Sequence, residues 1–539
     1  MRDAYQVAKV RAAEAALIAL VPDGTLMQRA AAGLASVCAS LLRASPGGVY
    51  GSRVVVLAGT GDNGGDALYA AALLARRGAA VIAIQAGPRM HAGGAARLAA
   101  AGGRFAGVVP VRGPDDTRPD VSGRYDPGHD ARHAIGHADL IIDGMLGIGG
   151  KGGLRDPYAT LAQLAVNSTA TTVAVDLPSG IDADTGAVDG PAVRADVTVT
   201  FGVVKPGLLI DPGARHAGVV ELVDIGLRPH LLEAPDVSAP QRGDISALVP
   251  RPGPESDKYR RGVLGLLAGS SRFTGAALLA AGAAVHGGAG MVRLVTAPAA
   301  AAAVRHVWPE VVITELGTDG GDRSGEERDL PGTGGQPWSP GDVGRVQAWV
   351  AGPGMGVTQD AAQRLAAVLG TGLPVLVDAD GLSLLAKRRD LLPRPAPTLL
   401  TPHAGELGRL LGAEPDDVEE RRLEHARRAA TMFGACVLLK GSTTVIAPPD
   451  GTDPVLVNTT GTSWLATAGT GDVLSGLAGA LLAQGLLPPQ AAATAAYLHG
   501  LAARLAAADA SGVTHGRAGA APIGASDVLR ALPMAFRAV

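Results

Sequence analysis

Two glycine-rich loops, each carrying an aspartate, stand where an apolar run and a helical pattern meet. Gly59-Thr60-Gly61-Asp62-Asn63-Gly64-Gly65-Asp66 follows the run Val54–Ala58, and Ala468-Gly469-Thr470-Gly471-Asp472 precedes Val473-Leu474-Ser475-Gly476-Leu477. A strand or turn that opens a helix in this way leaves backbone N–H groups at the helix N-terminus, where they attract anions. The carboxylate in each loop adds a group able to take or give a proton. A plain tight turn needs no such group. The pattern therefore points to two nucleotide-type active sites in one chain. Neither loop has the Walker spacing that ends in Lys-Ser/Thr, so neither is a P-loop.

Further groups stand at other strand ends. In the first half these are Asp143-Gly144-Met145-Leu146-Gly147-Ile148-Gly149-Gly150 and Asp176-Leu177-Pro178-Ser179-Gly180. Oxygen donors on Asn63, Asp143 and Ser179 suit a hard cation, and no soft ligand is near them in sequence. A single strand-end aspartate is commonly a helix cap; three in successive strand–loop units favour a site. In the second half, phosphate transfer to an alcohol needs dipoles that hold the phosphate and a base for the hydroxyl. The loop Ala468–Asp472 offers both. Lys440-Gly441-Ser442-Thr443-Thr444 adds hydroxyls and a cation for phosphate, or serves as a polar turn between strands. His403, at a strand end beside Glu406, is either a ligand or a structural histidine. Gly352-Pro353-Gly354-Met355-Gly356 and Asp378-Ala379-Asp380 complete the set.

These residues need elements to hold them. At 539 residues the chain exceeds one typical core, so two or three domains are expected. Helical spacing covers roughly Val7 to Val37. Strand patterns follow at Val54–Ala58, Val81–Ile84, Leu140–Asp143, Thr172–Asp176, Val197–Phe201 and Val219–Val223, alternating with helical ones. That alternation predicts an α/β fold with a parallel sheet covered on both faces, its ligands at the carboxyl ends of the strands. Pro229–Ser246 lacks periodicity and reads as an interdomain linker, with domains at 1–235 and 247–539 joined by 236–246. A second series runs through Val263–Ala268, Val292–Thr296, Trp349–Gly352, Val375–Asp378, Thr398–Thr401, Val437–Lys440, Thr444–Ala447 and Val455–Val457. Helices at Gly471–Gln484 and Pro489–Ala508 close it. The Gly/Asp/Pro-rich stretch from Gly317 to Gly341 reads as a surface insertion.

The composition, 47% hydrophobic and 18% charged, suits packed layers rather than disorder. A net charge of -3 without a basic stripe argues against nucleic acid as a partner. Two cysteines, Cys38 and Cys436, exclude a disulfide framework and fit a reducing cytoplasm. The acidic Asp3 and Glu14 speak against a signal peptide. The longest apolar run, Ala276–Val285, is too short to span a membrane. A cytoplasmic protein without a membrane partner is expected.

Taken together, Gly59–Asp66, Asp143–Gly150, Asp176–Gly180 and Thr200-Phe201-Gly202-Val203-Val204-Lys205-Pro206-Gly207 resemble the YjeF N-terminal family, the NAD(P)H-hydrate epimerases. The resemblance runs from about Ala12 to Gly226 and implies a Rossmann-like three-layer αβα domain. It implies interconversion of the R and S hydrates at C6 of the nicotinamide ring. By the same resemblance Asp62, Asn63, Gly64, Gly65 and Asp66 contact the substrate. So do Gly147, Ile148, Gly149, Gly150, Lys151, Gly152, Gly153 and Asp176, while Asn63, Asp143 and Ser179 hold a potassium ion. Asp176 is the candidate for proton transfer, with Lys205 a second. Relatives usually read Asn-Asn-Gly-Gly-Asp-Gly; Asp62 and Ala67 depart from that, and Asp62 places extra negative charge near a phosphate-bearing substrate.

The second half resembles the ribokinase-like superfamily and, within it, the YjeF C-terminal family of ADP-dependent NAD(P)H-hydrate dehydratases. The segments are Lys258-Tyr259-Arg260-Arg261-Gly262, Ala268–Ala276 and the loops named above, over about Asp257 to Pro533. What this implies is a second three-layer αβα domain. It would phosphorylate the S hydrate of NADH or NADPH (NADHX, NADPHX) with ADP and release NAD(P)H, AMP and phosphate. Asp472 would be the general base. Ala276, Gly354, His403 and Asp472 would contact the hydrate. Lys440, Gly441, Ser442, Thr443, Thr444 and Gly471 would contact the nucleotide, with Mg²⁺ accompanying it. Ala468 and Trp464 differ from the usual residues. A homo-oligomer is expected. The alternative is a ribokinase-like small-molecule kinase carrying a non-catalytic nucleotide-binding N-terminal domain.

Overall fold

The strand Arg53–Ala58 sends alternate side chains into two different cores. Val54, Val56 and Ala58 pack with residues of helices Thr25–Ala44 and Asp62–Arg76. Val55 and Leu57 pack with Leu161 and Ala162 of helix Tyr158–Val166 and with Ala131 and Ile135. Burial of both faces is what a run of Val and Leu without polar alternation demands. The result is a three-layer αβα sandwich. Its seven strands, all parallel, run in the order Arg104–Ala106, Ala80–Gln85, Arg53–Ala58, Leu140–Gly144, Thr171–Val175, Val197–Phe201 and Val219–Val223.

The computed structural model describes residues 1–106, 127–150, 152–317, 338–451, 453–508 and 520–539. The chain divides into two compact units, Asp3–Val237 and Ser238–Val539 with Met1–Arg2. In the second unit, the strand Val237–Ala239 is followed across the sheet by Val455–Asn458, Thr444–Ala447, Cys436–Leu439, Thr398–Leu400, Val375–Val377, Ala348–Ala351, Val263–Leu267, Met291–Thr296 and Val312–Glu315. Pairing is antiparallel among Val455–Asn458, Thr444–Ala447 and Cys436–Leu439 and parallel from Cys436–Leu439 onward. Leu264, Leu266, Val350, Leu376 and Leu399 bury against helices Thr274–His286, Thr470–Ala483, Pro488–Ala507 and Ala525–Ala538. Trp349, Val375 and Val377 are fully buried outside that cluster. This too is an α/β layered unit.

Both sheets change direction once. In the first unit the chain builds outward from Arg53–Ala58 and then returns to its other flank as Leu140–Gly144. In the second it builds outward from Val263–Leu267 and returns as Ala348–Ala351. At such a switch point the loops leave in opposite directions and open a crevice above the strand ends.

Three expectations change. Arg104–Ala106 and Val312–Glu315 are strands. They are short, lie at sheet edges and have exposed positions, so they lack a strong apolar pattern. Within 236–246, read as linker, Val237–Ala239 is a strand and Arg242–Leu248 a helix. That helix is set by a Gln241–Asp244 capping box and the buried Ile245. Helix Thr25–Ala44 has the length and mean hydropathy, 1.2, of a membrane span. Its Ala30, Ala31, Leu34, Ala35, Cys38, Ala39 and Leu42 are buried in the domain core. The centre of the 317–341 insertion, residues 318–337, and Lys151 lie outside the described residues.

Candidate active sites

At the first switch point the backbone itself is tightly packed. A Cβ at Gly59 would collide with the Met145 carbonyl, one at Gly64 with the Gly59 carbonyl, and one at Gly153 with the Asp189 carbonyl. Glycine is required there because backbone lies on backbone, between loops at Gly59 and Gly153 and within one loop at Gly64, not because the chain must turn. Ala67 is fully buried, and its Cβ occupies the space that glycine leaves open at Gly144. Its departure from the usual glycine is a packing matter. Asp62 is exposed on the first turn of its helix, where the dipole favours a carboxylate.

Asn63, Asp143 and Ser179 meet around the backbone of Leu146. The Asn63 amide donates to the Leu146 carbonyl at 3.1 Å, and the Leu146 N–H donates to Ser179 Oγ at 2.9 Å. Ser179 Oγ lies 2.7 Å from Asp143 Oδ1, and the Ser179 N–H donates to Oδ2 at 2.8 Å. Asp143 is wholly buried, and burial pushes its pKa up to about 6 despite the Ser179 bonds. Its partners here are Ser179 and the Met145 N–H, none of them cationic. A buried carboxylate grouped with neutral oxygens fits a monovalent hard cation.

Asp176 follows strand Thr171–Val175 with φ 64°, a left-handed conformation that is strained for a residue with a side chain. Its Oδ1 accepts from Thr200 Oγ1 at 3.0 Å, from the Phe201 N–H at 3.1 Å and from Lys205 Nζ. Lys205 is 1% exposed and also donates to Thr200 Oγ1 at 3.0 Å. The two proton-transfer candidates are thus one buried ion pair. Asp66 is buried too, with no hydrogen-bond partner on Oδ1. Burial first, then Asp176, Asp62 and Glu14, hold its pKa well above the usual carboxylate range. Glu14, on helix Val7–Ile18, is a member that sequence reasoning missed. Burial raises its pKa, and Lys205 and Asp176 act on it with opposite signs. Helix and loop are tied by the Tyr5 N–H on the Val204 carbonyl at 3.0 Å.

The second switch point has the same construction. The Gly269 N–H donates to the Pro353 carbonyl at 2.8 Å, and a Cβ on Gly354 would lie 2.7 Å from that of Ala276. Ala276 and Gly354, separate in sequence, form one wall. Asp378 is buried between Lys440 Nζ at 2.7 Å and Ser475 Oγ at 2.6 Å. Lys440 also lies 3.6 Å from Glu406. Burial alone would lower the Lys440 pKa, but Asp378 and Glu406 leave it above its ordinary value. Asp472 stands on the first turn of helix Thr470–Ala483. Burial, then the Asp378 charge, push its pKa up to about 7, with Lys440 opposing. A Cβ on Gly471 would be 3.5 Å from Lys440 Nζ, so the anion loop and the lysine face one another.

His403 caps helix Ala404–Leu411. Its Nδ1 accepts from the Gly405 N–H at 3.1 Å, and its backbone N–H donates to Glu406 Oε2 at 2.8 Å. The ring remains 55% exposed, so the cap leaves a face for a ligand. Two buried residues escaped the sequence reading. His499, on helix Pro488–Ala507, interacts with the Thr470 backbone, and burial pulls its pKa down to about 4. Arg422 holds the Lys440–Thr443 turn from behind. Among the described residues no three His, Cys, Asp or Glu side chains group as a metal cage.

Residues 23–207 match the family described as YjeF-related protein N-terminus, and residues 264–519 the family described as NAD(P)H-hydrate dehydratase. The bifunctional NAD(P)H-hydrate repair enzyme Nnr of Mycobacterium leprae is 46% identical over 94% of this chain and 95% of its own length. That of Mycobacterium tuberculosis is 47% identical over 92% of both chains. Among solved structures, the ADP/ATP-dependent NAD(P)H-hydrate dehydratase from Bacillus subtilis is 30% identical, covering 55% of this chain and 97% of its own, with a TM-score of 0.45. Near-complete coverage of curated relatives at this identity, with one matched family around each switch point, decides the matter: the chain belongs to the bifunctional NAD(P)H-hydrate repair enzymes, an epimerase half joined to a dehydratase half.

Proposed function

We propose that the Asp3–Val237 unit interconverts the R and S hydrates of NADH and NADPH. The Ser238–Val539 unit then dehydrates the S form at the expense of ADP, giving NAD(P)H, AMP and phosphate. The observation that carries the second assignment is Asp472, a carboxyl group with a pKa near 7 on the first turn of an anion-binding helix, opposite Lys440. A base working near neutral pH takes a hydroxyl proton most effectively when its own pKa lies there. Asp472 removes the proton of the C6 hydroxyl as its oxygen attacks the β-phosphorus of ADP, and the bond to AMP breaks. Lys440 and the amides of Gly469–Gly471 hold the charge on the transferred group. Gly441, Ser442, Thr443 and Thr444 complete the nucleotide contact; Ala276, Gly354 and His403 position the hydrate. In the final step the C6–O bond breaks, phosphate leaves, and a proton lost from C5 restores the C5–C6 double bond of NAD(P)H.

In the first site, Asp176 moves the proton at the C6 hydroxyl and Lys205 keeps the carboxylate in place. Asp62 to Asp66 and Gly147 to Gly153 line the substrate. Asn63, Asp143 and Ser179 would hold K⁺, which would supply positive charge against the substrate's phosphates. Mg²⁺ would enter the second site with the nucleotide. The lack of a carboxylate cage among the described residues suits an ion held mainly by phosphate oxygens. We further propose a cytoplasmic homo-oligomer with neither nucleic-acid nor membrane partners.

The test is recovery of NADH absorbance from mixed NADHX epimers with ADP, Mg²⁺ and K⁺. The intact chain should convert both epimers. A stable phosphorylated product with no NADH would overturn the dehydratase assignment.

A further inference from the structure

The turn between Lys440 and Thr444 has a buried cation directly behind it. Arg422 begins helix Arg422–Phe433 and is 0% exposed. Its Nη2 donates to the Lys440 carbonyl at 2.8 Å and the Thr443 carbonyl at 3.1 Å, with the Leu439 carbonyl at 3.4 Å. Its Nη1 pairs with Glu419, whose side chain is half-exposed. Gly441 touches the guanidinium so closely that a Cβ there would overlap it. In a trans peptide the C=O and the following N–H point in opposite directions. With the Lys440 carbonyl drawn inward to Arg422, the Gly441 N–H points away from it. The guanidinium is always charged and its fork fixes several acceptors at once. A charge buried one layer beneath a turn is weakly screened, whereas its carboxylate partner is open to water.

We propose that Arg422 is a positioning residue that sets the affinity of the second site for its nucleoside diphosphate. It holds the Lys440–Thr443 carbonyls so that the turn presents its N–H edge to phosphate, and its own charge draws phosphate from behind. The proposal rests on the reading of Lys440–Thr444 as the nucleotide contact. It makes Arg422 specific for nucleotide affinity, leaving hydrate binding and the epimerase half untouched.

The full-length chain with Arg422→Ala, Arg422→Lys or Lys440→Met tests it. Measurements are KM for ADP, KM for the S hydrate, kcat, epimerisation rate and Tm. Arg422→Ala should raise KM for ADP by about tenfold or more, as expected when charge-assisted hydrogen bonds are lost. KM for the hydrate and the epimerisation rate should stay unchanged. Added guanidinium at millimolar concentration should restore part of the ADP affinity, and urea should not. Arg422→Lys, which keeps the charge and loses the fork, should fall between. If Arg422→Ala does not fold, Arg422→Lys decides alone: a wild-type KM for ADP overturns the proposal. Equal rescue by urea, or a lowered Tm with unchanged KM for ADP, also overturns it. Should Lys440→Met weaken ADP binding while the Arg422 variants do not, only Arg422 loses its role. If none of them changes ADP affinity, the nucleotide reading of the turn fails as well.

Discussion

Asp472, half-buried at a helix start, and Asp176, buried at a strand end, have surroundings that suit them to different work. Asp472 faces another carboxylate, Asp378, and carries its proton up to about pH 7. Because the base acts when deprotonated, dehydration of the S hydrate should slow as pH falls below about 7 and level off above it, which initial rates against pH would show. Asp472→Asn should lower that rate by about 10²–10⁴-fold and leave epimerisation intact. Asp176 instead accepts three donors, Lys205 among them. In mixed epimers, Asp176→Asn should give prompt recovery of the S fraction and then a stall, whereas full recovery at the wild-type rate would remove Asp176 from the mechanism. The positions of both aspartates were legible in sequence because one ends an apolar strand run and the other follows a glycine-rich helix start. Glu14 and Arg422 were not. Glu14 shares a helix with Arg11, and Arg422 follows the charged run Asp416–Arg421, so in sequence both read as parts of a solvated face. Only tertiary packing turns them inward.

At the scale of elements, the glycine loops work by contact between loops. Gly59→Ala would force the Gly59–Asp66 loop off the Met145 backbone and Gly64→Ala would force the loop apart at Gly59, and epimerisation should be lost while dehydration continues; coupled assays on each epimer check this. Ala67→Gly, by contrast, installs the glycine that the family resemblance implies there but opens a packed contact at Gly144. It should cost about 1 kcal/mol of helix stability, seen as a lower Tm, and bring no gain in epimerisation. Most core strands were readable within a residue or two, since Val and Leu runs between glycines leave few other options. What the pattern left out was at the edges, where Arg104–Ala106 and Val312–Glu315 mix charged and apolar residues. The pairing of Gly269 with Pro353, and of Ala276 with Gly354, was likewise invisible. It follows from sheet order, which no local pattern encodes.

For the whole molecule, two sheets each reverse direction once and each carry one activity, so the halves should respond separately to their ions. Replacing K⁺ by Li⁺ should slow epimerisation without changing dehydration of the S hydrate; equal loss in both assays would dissociate the ion from Asn63, Asp143 and Ser179. The remaining consequence concerns the two cysteines, one in each unit. Cys38 and Cys436 are buried in apolar cores, and burial pushes the Cys38 thiol up to about 12 and raises that of Cys436 as well. Oxidants attack the thiolate, and neither side chain supplies one. Both repair rates should therefore survive hydrogen peroxide and alkylating reagents at doses that silence enzymes with exposed thiols. For a family that rescues reduced cofactors, two thiols sealed in apolar cores take from oxidants the side chains they attack first.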